Sequence, residues 1–266
     1  MSNLSIAFLV TLIAGLSTGI GSVIAFFAKR TNTKFLSVAL GFSAGVMIYV
    51  SMVEMTASSV TQMTEYLGKT QASWISIALF FGGMILVALI DKFIPSSENP
   101  HEVKKVEQFN DKVNPDTNKL LKTGLMTALI VTLHNFPEGI ATFASALDNP
   151  KLGILIAAAI AIHNIPEGIA VSLPVYYATG NRKQAFWLSF LSGISEPIGA
   201  VLGYLLLGFL FKGWLIGAML SFVAGIMVFI SIDELLPAAR EYGEHHLAIY
   251  GVISGMAVMA ISLLLL

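Results

Sequence analysis

Eight long apolar stretches divide the chain, and their length is the strongest constraint on what it can fold into. A helix needs roughly 20 apolar residues to cross the hydrocarbon core of a bilayer. Stretches of this length occupy residues 5–28, 35–56, 73–93, 121–147, 152–177, 185–210, 214–237 and 247–266. The composition agrees, since only 12% of the residues are charged, against about 25% in soluble domains. The sequence therefore predicts an all-α integral membrane protein with eight transmembrane helices, forming a single domain over residues 1–266.

The distribution of lysine and arginine predicts how these helices are oriented. Twelve of the 15 basic residues lie at or in the odd-numbered loops. Because cytoplasmic loops carry the excess of positive charge, the odd-numbered loops are expected in the cytoplasm and both termini outside. The one long loop, at about residues 91–118, is polar and mixed in charge. We expect it to be a cytoplasmic linker between spans three and four.

Composition also limits the chemistry that the chain can perform. It contains no cysteine, which excludes disulfides and thiolate ligands, and leaves imidazole, carboxylate, amide and backbone groups for any site. The net charge of −1 gives no indication of a nucleic-acid partner. The first stretch lacks a basic start and is too long for a cleaved signal peptide, so we expect it to remain as the first span. The lipid bilayer is the expected environment.

Two segments of the chain recur at nearly the same offset. The segment FSAGVMIYVSMVEM at 42–55 returns as FVAGIMVFISIDEL at 222–235, and AGLSTGIGSVIA at 14–25 returns as SGISEPIGAVLG at 192–203. These alignments, called the repeat register below, indicate a duplication that pairs spans one to three with spans six to eight. Paired spans cross the membrane in opposite directions. The pattern predicts an inverted repeat, which is typical of alternating-access transporters.

Spans four and five, between the two copies, carry a doubled polar motif. Residues 134–141 read HNFPEGIA, and residues 163–170 read HNIPEGIA. At about 100° per residue, His134, Asn135 and Glu138 point into one quadrant of a helix. The equivalent residues of span five are His163, Asn164 and Glu167. A carboxylate near the middle of a membrane costs about 2.5–3.5 kcal/mol, so these groups need a compensating partner.

Neighbouring residues could complete a metal site around the two motifs. Pro137 and Pro166 lack the N–H groups that would reach the carbonyl oxygens of Leu133 and Ile162, so these oxygens are left without that helix bond. Span six adds Glu196, on a stripe of small residues that packs closely against neighbouring helices. Imidazole, carboxylate, amide and carbonyl groups together suit one or two divalent cations.

Further acids lie away from the middle of spans two and seven. Glu54 is expected roughly 12 Å toward the outside, and Asp233 and Glu234 a similar distance toward the cytoplasm. Our hypothesis is that Glu54 helps to admit cations and that Asp233 and Glu234 help to release them. The alternative for Glu54 is a structural hydrogen-bond partner between helices.

On these residues the chain resembles the ZIP family of divalent metal transporters, and within it the bacterial ZupT-type branch. The doubled motif, the SEPIGA segment of span six, the eight spans and the external termini carry this resemblance, which covers essentially the whole chain. It implies import of zinc, and often of iron(II), manganese or cobalt, through the inner membrane of a bacterial cell into the cytoplasm. It also implies a homodimer and an elevator-like movement of spans one, four, five and six. No cofactor is implied, since the metal is the substrate.

The resemblance further implies a two-metal site shared by spans four, five and six. Carried over by motif, its ligands are His134, Asn135, Glu138, His163, Asn164, Glu167 and Glu196. Two other functions remain open from the residues alone. One is a membrane-embedded di-metal hydrolase, although Asn stands where the HExxH pattern has its general base. The other is a passive metal channel lined by the same groups.

Overall fold

The structure of the protein is a computed structural model that describes residues 1–27, 33–92, 117–207, 214–242 and 245–264. Within these ranges, regular secondary structure is entirely helical, which confirms the predicted all-α class. Most of the predicted cytoplasmic loop at about 91–118 lies outside the described residues, and the assignment of residues 1–266 to a single domain stays a prediction.

The helices follow the predicted spans closely, with two additional π-helical segments. They are α1 (Asn3–Phe27), α2 (Thr33–Tyr49), π1 (Val50–Met55), α3 (Thr56–Leu67), α4 (Lys69–Lys92), α5 (Thr117–Asp148), α6 (Pro150–Thr179), α7 (Arg182–Leu207), α8 (Trp214–Ile230), π2 (Ser231–Leu235), α9 (Leu236–Tyr242) and α10 (His245–Leu264). Helix α2 continues through π1 into α3 without a break, and α8 continues through π2 into α9 in the same way.

Short turns at capping residues separate the helices that carry the doubled motif from their neighbours. Asn149 caps α6, since its side-chain oxygen accepts from the backbone N–H groups of Lys151 at 3.1 Å and Leu152 at 3.4 Å. Pro150 occupies the first helical position, where a missing N–H costs nothing. Gly180 ends α6 at φ 65°, a left-handed conformation that suits glycine. These signals make α5, α6 and α7 consecutive antiparallel neighbours.

Seven helical stretches of the described chain are long and apolar enough to cross a membrane. They are Asn3–Phe27, Ser37–Leu67, Lys69–Lys92, Pro150–Thr179, Arg182–Leu205, Trp214–Arg240 and His246–Leu264. The remaining predicted span corresponds to α5, whose 32 residues exceed the length needed for a crossing. Helix α5 is less apolar, because it adds Lys122, Thr127 and Thr132 to its polar motif. The chain is a multi-pass membrane protein.

The helices pack in two groups that meet along a limited boundary. In the first group, α1 packs on α6, α5 packs on α7, and α5 and α6 lie side by side. In the second group, α2 packs on α10 and α4 packs on α8. The groups meet chiefly where α2 contacts α6 and where α8 contacts α5. The doubled motif therefore lies in the first group, close to this boundary.

Backbones approach very closely where α1 crosses α7. A Cβ atom on Gly15 would meet the carbonyl oxygen of Gly193, and a Cβ atom on Gly193 would meet the carbonyl oxygen of Gly15. Small residues at helix crossings permit this close packing inside membranes. The crossing brings the Glu196 region of α7 next to α1 and α6.

Candidate metal centre

The polar residues of the doubled motif lie inside the first helix group and not on its lipid-facing surface. His134, Asn135 and Glu138 of α5 are buried, as are Asn164 and Glu167 of α6. Glu196 of α7 is completely buried as well. The side chain of His163 lies outside the described part of the structure. The remaining six predicted ligands therefore occupy one buried region at the junction of three helices.

A direct contact joins the two copies of the motif. The Nε2 atom of His134 on α5 lies 2.6 Å from Oε1 of Glu167 on α6. Both side chains are at most 8% exposed. The adjacent antiparallel helices, each with its polar quadrant turned inward, bring the imidazole of one motif to the carboxylate of the other.

Asn164 connects the second motif to α1 and α7. Its Nδ2 group donates a hydrogen bond to the carbonyl oxygen of Ala14 at 2.9 Å and a second one to Oε1 of Glu196. On the other motif helix, Nδ2 of Asn135 donates to the carbonyl oxygen of Ser192 at 3.4 Å. The two amides thus fix α5 and α6 to the flanking helices, and one of them holds Glu196 at the centre.

Several oxygen atoms of this region have no hydrogen-bond partner among the described residues. They are Oδ1 of Asn135, Oδ1 of Asn164 and Oε2 of Glu196. Buried polar atoms are nearly always hydrogen-bonded, so each such atom calls for an explanation, such as a bound ion. Amide and carboxylate oxygens are ligands that divalent cations accept.

Carboxyl groups lie close together in the same buried space. The carboxylate of Glu196 interacts electrostatically with the carboxylates of Glu138 and Glu167 and with His134. Like charges in a low-dielectric interior repel strongly unless a cation or protons offset them. Among the side chains that the structure describes, no three His, Asp or Glu groups adopt a geometry that holds a metal ion. The complete ligand set, with His163, stays a prediction.

Glu234 lies at the edge of this region. Its Oε2 atom is 3.8 Å from Nδ1 of His134. Its expected depth of about 12 Å toward the cytoplasm stays a prediction. Glu234 lies in π2, and the wider turn of a π-helical segment shifts the direction of the side chains that follow. Nothing in the sequence pattern marked this segment as π-helical.

A small cavity begins at the same contact. It has a volume of about 80 Å³, and its lining includes His134, Pro137, Glu234, Leu86 and Asp91. Asp91, near the end of α4, is a lining residue that was not predicted from the sequence. The signal available in the sequence was an acidic residue inside the apolar stretch 73–93, close to its end.

The two remaining predicted vestibule residues are placed differently from Glu234. Glu54, in π1, accepts a hydrogen bond from the hydroxyl of Ser58 at 2.9 Å. Asp233 is exposed on the outer side of π2. Neither placement tests the hypothesis that these acids admit or release cations, which stays a prediction.

Comparisons with known proteins agree with the resemblance noted from the motifs. A family model described as ZIP Zinc transporter matches residues 91–263. The Zinc transporter ZupT of Oceanobacillus iheyensis is 61% identical over 267 residues, covering both chains completely. The protein of the same name from Clostridium perfringens is 58% identical, over 100% of this chain and 97% of the relative. That from Lysinibacillus sphaericus is 62% identical, over 99% and 98% respectively.

These relatives are named as transporters and not as enzymes, which removes the hydrolase as an alternative. The family model alone covers well over half of the chain, and the relatives cover all of it. The chain belongs to the ZIP zinc transporter family.

Proposed function

We propose that this protein imports zinc through the buried centre between α5, α6 and α7. The observation that carries the proposal is a pair of buried contacts, His134 with Glu167 and Asn164 with Glu196. Together they bring polar groups of three helices into one buried region. Such groups are expensive inside a membrane, and a transported cation is the partner that offsets their cost. The relatives named zinc transporters support zinc as the substrate.

The proposed ligands are the seven residues predicted from the motifs. They are His134, Asn135, Glu138, His163, Asn164, Glu167 and Glu196. Imidazole and carboxylate ligands suit zinc, and they accept iron(II), manganese and cobalt without strong exclusion. The number of ligands is sufficient for two ions. His134 must be neutral and the glutamates ionised to bind metal, so metal loading releases protons and weakens as the pH falls.

An inverted repeat around this centre is supported by close contacts that occur in pairs. A Cβ atom on Gly139 of α5 would meet the carbonyl oxygen of Glu196, and one on Gly168 of α6 would meet that of Thr18. The two glycines occupy the same position in the two copies of the motif. Thr18 and Glu196 occupy the same position in the repeat register of spans one and six. Equivalent residues therefore make equivalent contacts.

The second helix group repeats the same relation. Gly45 of α2 approaches the carbonyl oxygen of Val252 on α10, and Gly225 of α8 approaches that of Phe80 on α4. Gly45 and Gly225 are aligned in the repeat register, and Phe80 and Val252 lie in spans three and eight, which the repeat also pairs. The segments π1 and π2 overlap in the same register. A duplication with opposite orientation of the copies accounts for all of these pairs.

Transport by this centre requires that it face the two sides of the membrane in turn. We attribute this to movement of α1, α5, α6 and α7 against the second helix group, supported by the limited boundary between the groups. The cavity at His134 extends to Asp91, where the predicted cytoplasmic loop begins. This supports release toward the cytoplasm. We also propose that the protein lies in the inner membrane of a bacterial cell with both termini outside. We propose that it is a homodimer.

Zinc uptake into proteoliposomes tests the function. We expect saturable uptake by the unchanged protein and at least about a hundredfold loss in Glu138→Ala, because a buried charge-bearing ligand is removed. Glu65→Ala is the matched control, since Glu65 is exposed on α3. Uptake that rises linearly without saturation would favour the passive channel. Unchanged uptake in Glu138→Ala would contradict the proposed centre.

A further inference from the structure

The contact between Glu234 and His134 joins the two helix groups. It connects π2 to α5 at 3.8 Å, next to the cavity that reaches Asp91. In the repeat register, Glu54 in π1 is the counterpart of Glu234. In the alignment of the two motifs, His163 of α6 is the counterpart of His134. A duplicated unit that places Glu234 in contact with His134 can also place Glu54 in contact with His163.

The same alignments already relate observed contacts in the described structure. Asn164 donates to the carbonyl oxygen of Ala14, and Asn135 donates to that of Ser192. Ser192 is the counterpart of Ala14 in the repeat register. The glycine contacts in both helix groups are related in the same way, since paired glycines approach backbone oxygens of paired helices. Residues that the two alignments pair therefore make equivalent contacts near the centre, atom for atom. We apply the same pairing to the contact between Glu234 and His134.

The two acids have different local partners. Glu54 accepts a hydrogen bond from Ser58, four residues further along the helix. The residue at the corresponding place after Glu234 is Ala238, which has no hydroxyl group. Glu54 is thus held on its own helix in this structure, whereas Glu234 extends to the motif helix.

We propose that Glu54 and Glu234 are alternating positioning residues, and that the outward-facing state replaces the Glu234–His134 contact by a Glu54–His163 contact. This rests on the proposed transport function. In each state one carboxylate from the second helix group approaches one motif histidine and favours that arrangement of the groups. The exchange gives each state a polar contact that the other lacks, which a two-state movement requires.

The complete lack of native cysteine makes this exchange testable by cross-linking. Glu54→Cys with His163→Cys reports the proposed outward contact, and Glu234→Cys with His134→Cys reports the present one. Glu54→Cys with Ala161→Cys is the control, because Ala161 lies on the opposite face of α6 from His163. Each folded variant, reconstituted in liposomes, is treated with a short bifunctional thiol reagent, and linked peptides are identified by mass spectrometry.

We expect both matched pairs to cross-link at least about tenfold more than the control, because irreversible linking traps a state populated at only about 0.1–10%. If the Glu234–His134 pair links while the Glu54–His163 pair links no more than the control, the proposal is wrong. Zinc uptake by the unchanged protein is measured separately. Uptake without the Glu54–His163 link contradicts only the exchange, whereas both links without any uptake contradict only the transport function.

A second measurement keeps all four positions intact. Val87→Cys introduces a thiol into the wall of the cavity, where a water-soluble maleimide reports how open it is. Adding Ser58→Ala releases Glu54 and favours the outward state, so labelling should slow by about two- to tenfold, the effect of one hydrogen bond. Ser73→Ala, which removes a hydrogen bond within α4, is the control. Labelling that is unchanged or faster in Ser58→Ala would count against the proposal.

Discussion

At the scale of single residues, the two motif asparagines show why an amide is useful at these positions. An asparagine side chain offers two N–H donors and one oxygen acceptor. Asn164 uses its nitrogen to hold Ala14 and Glu196, and its oxygen has no partner among the described residues. The same side chain can therefore fix three helices together and still present an oxygen to a cation. A carboxylate at this position would lack the donors and would repel Glu196.

Asn164→Ala should weaken zinc binding and lower stability together. Glu196 loses the donor that holds it, and a buried acceptor without its partner costs about 1–3 kcal/mol. The measurement is the rise in unfolding temperature on adding zinc to the purified protein. Asn149→Ala is the control, because it removes the cap of α6 at a cost of about 1 kcal/mol but lies far along the helix from the centre. A zinc-dependent rise that is as large in Asn164→Ala as in Asn149→Ala would contradict this assignment.

At the scale of helices, close backbone contacts at glycines decide how the elements fit. Adjacent glycines of α4 illustrate this. A Cβ atom on Gly83 would meet the carbonyl oxygen of Phe222, whereas the nearest atom to a Cβ on Gly82 is a ring carbon of Phe222 at 4.0 Å. The same residue type therefore has a packing role at one position and none at the next.

Gly83→Ala should destabilise the protein by about 1–3 kcal/mol, because the helices must separate to admit the methyl group. Gly82→Ala should leave stability unchanged or raise it by up to about 1 kcal/mol, since alanine favours the helix. Thermal unfolding in detergent distinguishes the two variants. Equal stability of both would show that the crossing of α4 and α8 adjusts more easily than the contact implies.

The helices were predictable from the sequence, whereas their irregular segments were not. Long apolar stretches and the capping signals around Asn149 and Gly180 are local, so they predict helices directly. The segments π1 and π2 depend on how the helices pack, and the identical spacing of FSAGVMIYVSMVEM and FVAGIMVFISIDEL does not reveal them. For that reason the direction of the Glu234 side chain could not be predicted from the sequence. The gathering of Asn164 and Glu196 was predictable, because their polarity demanded partners.

At the scale of the whole molecule, the helix packing separates the proposed cation ligands from the helices that surround them. The group with α1, α5, α6 and α7 contains all the proposed ligands, and the second group contributes Glu234 and Glu54 from its π-helical segments. A proposed transport step can thus move the ligands as one body. The direction of transport then depends on how the molecule is inserted.

Impermeant thiol labelling tests that orientation. In intact cells, Ser2→Cys should react with an external maleimide, because the N-terminus is expected outside. Lys183→Cys, in the first turn of α7, should react only after permeabilisation, since the loop that precedes α7 is expected in the cytoplasm. Both positions are exposed. The opposite labelling pattern would reverse the orientation and make the protein an exporter under the same mechanism.

The crossing of Gly15 and Gly193 has a consequence for how the two halves of the proposed repeat could diverge. In the repeat register these glycines are counterparts of each other. The contact is therefore made between the same position in the two copies of the repeat. A side chain added on either helix would strike a backbone oxygen of the other, and no substitution of the partner removes a backbone oxygen. Second-site suppressors of a Gly15 substitution should therefore arise where the helices can tilt apart, and never at Gly193.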